Sequence, residues 1–146
     1  MSQTSYSTYP AVAYEGQLLP SVPYTVESRV ATASIPFGRA VQRVTSDDQV
    51  GLTAASGVPQ GVAIIEHDKP NDQAEDVLTG QTLSVLKRGR VWVRAVGAVT
   101  QGAPAYAIVA VGATQGQFTA TVGTNLLVGK FVTGGTDTLV LLDVHL

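Results

Sequence analysis

The stretch that most constrains this chain is residues 87–112, KRGRVWVRAVGAVTQGAPAYAIVAVG. Within it Arg88, Arg90, Trp92, Arg94 and Val96 alternate with Val91, Val93 and Ala95. Successive side chains of a strand point to opposite faces, so the spacing predicts one apolar face and one face of cations around an indole. Gly97 and the Thr100-Gln101-Gly102 turn then reverse the chain into a second apolar run, residues 105–111. A strand of this kind buries one side in a core and offers the other to a partner.

The β pattern extends over most of the chain. Residues 35–44 read as a turn and a short strand, 50–53 as a short edge segment, and 60–66 as a buried strand. Residues 67–75, the most polar window, read as a loop. Segments 76–79 and 82–86 lead into the central pair, and 117–122, 126–133 and 138–146 follow it, each bounded by Gly, Asn or Thr turns. Many short strands with turn signals about every 8–12 residues indicate a barrel or a sandwich. No window carries a helical stripe, because the candidates are too rich in Val and Gly. The fold expected is all-β: a small β-barrel or sandwich-like domain. A glycine before a small-residue strand recurs in both halves (Gly38 and Gly61, then Gly102 and Gly129). Duplication of a barrel half and the local demands of turns both account for it.

Residues 1–34 differ in character. They hold Tyr6, Tyr9, Tyr14 and Tyr24, four of the five tyrosines, together with Pro10, Pro20 and Pro23. Prolines at this spacing oppose both a helix and a central strand, while a disordered tail would be poorer in aromatics and richer in charge. The expected organisation is an extended N-terminal arm, residues 1–34, and a barrel domain, residues 35–146. Tyrosines along such an arm can bury their rings and keep their hydroxyls hydrogen-bonded, against a partner or against the chain's own barrel.

Composition narrows the function. Charged residues are 14% of the 146, against a usual share of about 25%, and buried interfaces are depleted in charge. The net charge of −2 argues against a general nucleic-acid coat. The absence of cysteine removes disulfides, thiolate catalysis and Cys-based zinc sites. There is no basic stretch followed by an apolar run at the start, and no apolar run of about 18 residues, so neither a signal peptide nor a membrane partner is expected.

Candidate chemistry is sparse. Glu66, His67 and Asp68 gather two carboxylates and an imidazole, which is the raw material for a metal site or an acid–base pair. Three adjacent residues cannot all point to one centre, however, and the second histidine, His145, lies near the far terminus. Ala55-Ser56-Gly57 lacks the frame of a nucleophile elbow. The glycine-rich 112–116 has neither the lysine nor the helix of a phosphate loop. No catalytic, cofactor or metal residue is therefore assigned. Lys87, Arg88, Arg90 and Arg94 around Trp92 suit single-stranded nucleic acid less well than a protein interface, because that face has one aromatic and the chain is acidic. The interface residues expected are Tyr6, Tyr9, Tyr14, Tyr24, Arg88, Arg90, Trp92 and Arg94.

The order of these segments, IPFGRAV, GVPQGVAII, LKRGRVWVRAVGAVTQGAPAY and LVGKFV behind a tyrosine-rich arm, resembles the structural cement, or capsid decoration, proteins of tailed bacteriophages. The resemblance covers residues 35–146 in pattern and 1–34 in character. It implies a β-barrel or β-tulip without enzymatic activity, made in the host cytoplasm and carried on the exterior of the virion capsid. It also implies binding to the major capsid protein, as a dimer or trimer at symmetry axes, bridging subunits against internal DNA pressure. The competing expectation is a receptor- or glycan-binding β-domain of a virion fibre or tail.

Overall fold

The computed structural model describes residues 15–65 and 76–146. In chain order its strands are β1 (Leu18–Leu19), β2 (Thr25–Ala31), β3 (Ile35–Pro36), β4 (Ala40–Arg43), β5 (Gln49–Leu52), β6 (Pro59–Ala63) and β7 (Asp76–Val77). There follow β8 (Thr82–Arg94), β9 (Ala98–Val99), β10 (Pro104–Ala107), β11 (Phe118–Thr119), β12 (Leu126–Phe131), β13 (Gly135–Thr136) and β14 (Leu139–His145). The described residues form no helix, in agreement with the all-β expectation.

The long strand β8 is shared by two sheets. Its first half lies between β2 and β6, and its second half between β14 and β1. Strands β8, β2, β5, β4 and β6 close on themselves as a five-stranded barrel, because β6 pairs back onto β8. Val41, Val50, Ala63, Leu83 and Val85 fill it. The β3–β7 pair adds Ile35 and Val77 to the same cluster. The second half of β8 continues through β14, β12 and β10 to β11. A bridge between Phe118 and Ala95 returns β11 to the end of β8. On the inside of this sheet Val91, Val93, Phe118, Phe131 and Leu142 pack with Ala40, Val62 and Leu86 of the barrel strands. Loop 108–117 latches the two halves together. Thr53 Oγ1 donates to the Ile108 carbonyl (3.1 Å), Gln115 Nε2 to that of Thr53 (2.9 Å), and Arg39 Nη1 to that of Gln115 (2.9 Å).

Strand β8 serves both cores because it changes parity midway. Strict alternation would send Leu86 and Val91 to opposite faces, yet both lie in the second core. Opposite β2, the register shifts between Thr25, which faces Arg88, and Val26, which faces Leu86. The extra residue is a bulge, and it flips the alternation. Gly89 sits beside it with φ 129°, and a Cβ there would lie 2.7 Å from Tyr24 Cβ. Gly89→Ala is expected to lower stability by roughly 2 kcal/mol through backbone strain and overlap. The measurement is a lowered urea midpoint at unchanged slope.

Two expectations are revised by the pairing. Residues 50–53 are not an edge, because β5 lies inside the barrel between β2 and β4. The β structure also begins before Ser34: β2 pairs with β8 from Thr25 to Val30 and runs parallel to β5. Pro20 and Pro23 precede this strand rather than interrupt it.

Candidate functional site: a cationic sheet face

The alternation in residues 88–95 appears as read. Val91, Val93 and Ala95 are buried, Arg88 and Arg94 are exposed, and Arg90 and Trp92 are half-buried. Strand β14 sets a partner directly opposite each outward residue: Leu139 faces Arg94, Leu141 faces Trp92, Asp143 faces Arg90 and His145 faces Arg88. Directly opposed residues share a face of the sheet. That face continues across β12 and β10, where Lys130 faces Asp143, Pro104 faces Lys130, and Tyr106 faces Leu127. One row therefore reads Pro104, Lys130, Asp143, Arg90 across four strands.

The arginines of this face are weakly engaged within the chain. Arg88 Nε and Arg94 Nη1 each reach a carbonyl at 3.4 Å, those of Leu146 and Asp137. Among the described residues Arg90 forms no ion pair. Lys87, by contrast, is directed to Glu27 on β2 (3.6 Å) and stands apart from the row. An open hollow of about 480 Å³ lies on the same face, lined by Pro104, Tyr106, Leu127, Lys130, Asp143 and His145, with Gly129. Gly129 lets β12 and β14 approach there, since a Cβ on it would overlap the Asp143 carbonyl oxygen.

The structure brings Tyr24 and the β8 residues together: Tyr24 packs on Gly89, next to Arg88, and is 48% exposed. Tyr6, Tyr9 and Tyr14 lie outside the described residues, as do Glu66, His67 and Asp68. The chain reaches the described structure beside Trp92. Gly16 N–H donates to the Trp92 carbonyl (2.7 Å), Trp92 N–H to that of Gln17 (3.0 Å), and Ile65 N–H to that of Gly16 (2.9 Å). Among the described residues no group of three or more His, Asp or Glu side chains is placed to hold a metal ion.

A family profile described as Structural cement protein (E217 gp24/Pam3 gp6) matches residues 2–145. The chain belongs to this structural cement protein family. A cement protein of phages has a capsid-associated structural role. Among solved structures, a chain of "The capsid of Myoviridae Phage XM1" is similar with a TM-score of 0.76 and 19% identity, over 98% of this chain and 96% of that one. A chain of "The crystal structure of head fiber gp8.5 N base in bacteriophage phi29" is similar with a TM-score of 0.54 and 18% identity, over 84% of this chain and 94% of that one. At these identities both likenesses speak to the fold. No curated protein matches the sequence.

Sequence reasoning missed the half of the cement protein's outer face that lies beyond β8. Tyr106, Leu127, Lys130 and Asp143 sit in segments read correctly as strands. The outward positions of Tyr106 and Asp143 follow from alternation with buried Ala105, Ala107, Leu142 and Val144. Leu127 and Lys130, three residues apart, share the face only because the register shifts opposite Ala105 and Tyr106. What the sequence does not carry is the order β10-β12-β14-β8, which sets these strands side by side.

Proposed function

We propose that this cement protein binds the outer surface of the phage head, bridges neighbouring major capsid protein subunits and holds the shell against internal DNA pressure. The observation that carries this reading is the outer face of β8. It presents three arginines and the only tryptophan on a rigid strand, with little use for them inside the chain. Arginine and tryptophan are the residues that most often anchor protein interfaces. Residues 1–14 add Tyr6, Tyr9 and Tyr14 as further contacts, starting from the edge of this face because Gly16 is fixed to Trp92. A dimer or trimer at a local symmetry axis would multiply these contacts. Linked weak contacts hold firmly because release of one leaves the others at high effective concentration. A ligand that binds the assembled shell and not separated subunits stabilises the shell by mass action.

The test is sedimentation with expanded shells of the phage that encodes the chain. The triple substitution Arg88→Ala, Arg90→Ala, Arg94→Ala is expected to weaken decoration by about tenfold or more, at up to about 1 kcal/mol for each exposed charge, with an unchanged circular dichroism spectrum. Trp92→Ala is expected to weaken it by about 2 kcal/mol. Decoration that is indifferent to all four substitutions refutes this assignment of the face.

A further inference from the structure

We propose that the hollow over β10, β12 and β14 seats an apolar side chain of an extended, acidic peptide segment supplied by a partner. The apolar part is concrete. Leu127, the second residue of β12, is 58% exposed, with Tyr106 directly opposite and Pro104 further along β10, around the volume of about 480 Å³. That volume is in the range of sites that accept compact ligands. The charge pattern selects the partner. The strands of this face hold Arg88, Arg90, Arg94 and Lys130 against one carboxylate, Asp143, with a second, Asp137, bonded to Gly97 N–H beyond the Arg94 end. The chain as a whole has nine Lys and Arg against eleven Asp and Glu. The local field is therefore opposite in sign to the net charge, and it attracts and orients an acidic segment. An extended segment fits because outward residues on one strand recur about every 7 Å, the same repeat as side chains on one side of an extended peptide.

Residues 1–14 of a second copy are a poor match, since MSQTSYSTYPAVAY has no charged side chain. The capsid-binding reading says only where the segment comes from; its chemistry is testable without capsids. The isotope-labelled full chain is titrated with the peptides Asp-Glu-Leu-Glu-Asp and Lys-Lys-Leu-Lys-Lys while amide shifts are followed. Saturable shifts at Tyr106, Leu127 and Lys130 are expected with the acidic peptide alone, fading between about 0.1 M and about 1 M salt as screening shortens. Leu127→Asp, an exposed position, is expected to weaken that response by about tenfold. No response, or an equal one to both peptides, overturns the proposal. So does a stronger response to oligothymidylate, which makes the face a phosphate site, or the same shifts on concentrating the protein alone, which makes it a self-contact. Peptide binding by a protein that ignores expanded shells sinks the capsid reading and leaves this one standing. Shell binding without any peptide response does the reverse.

Discussion

A chain that starts at Ile35 is expected not to fold, whereas one that starts at Glu15 keeps a cooperative melt. Strand β2 supplies six residue pairs to β8 and the parallel contact to β5. Without it the barrel is an open sheet with β5 and β8 as bare edges, and Leu83, Val85 and Val50 lose one wall of their enclosure. A domain of this kind is stable by about 5–15 kcal/mol in total, and removal of a central strand takes away more than that margin. Circular dichroism and thermal melting of the two truncations provide the measurement. A cooperative melt of the 35–146 chain at the full-length temperature would show that β2 does not hold the barrel shut. The comparison also isolates the role of Tyr6, Tyr9 and Tyr14: loss of shell binding in the 15–146 chain, with the melt retained, assigns binding to residues 1–14.

Phe118→Ala is expected to be the most damaging single truncation of a side chain. Phe118 is fully buried in the second core, and its backbone carries the bridge to Ala95 and accepts from Val96 N–H (2.7 Å). Emptying a buried phenylalanine site costs about 3–5 kcal/mol. At this chain length that lowers the melting temperature by on the order of 10 °C. Leu127→Ala is the control, because an exposed position in the same sheet is expected to shift stability by no more than about 0.5 kcal/mol. A small effect at Phe118 would mean that β11 does not close the second sheet.

Much of this was legible in the residues, for an identifiable reason. In β8 and the residue after it, the apolar positions Val91, Val93 and Ala95 alternate strictly with long polar or aromatic ones, so the strand and its two faces follow from a period of two. The all-β class follows from the density of turns and short Val-rich runs. Strand β2 was harder. TVESRVA is half-buried over most of its length, with Glu27 and Arg29 paired to each other, and so lacks a clean apolar stripe. Closure between β6 and β8 was invisible for a different reason: it joins residues more than twenty apart through backbone hydrogen bonds, which no local pattern encodes. The same holds for the outer face, whose rows exist only once four strands are placed in order. The bulge at Gly89 is intermediate. A glycine flanked by Arg88 and Arg90 marks an irregularity, but the flip of parity emerges only from the register opposite Tyr24 and Thr25.

The sharing of β8 between barrel and second sheet bears on how this protein comes apart. Neither half can release its ladder without freeing backbone on which the other half depends, so partial opening gains little freedom before the whole is lost. A single calorimetric transition follows, with the amide hydrogens of Leu83, Val85, Val91 and Val93 the last to exchange with solvent.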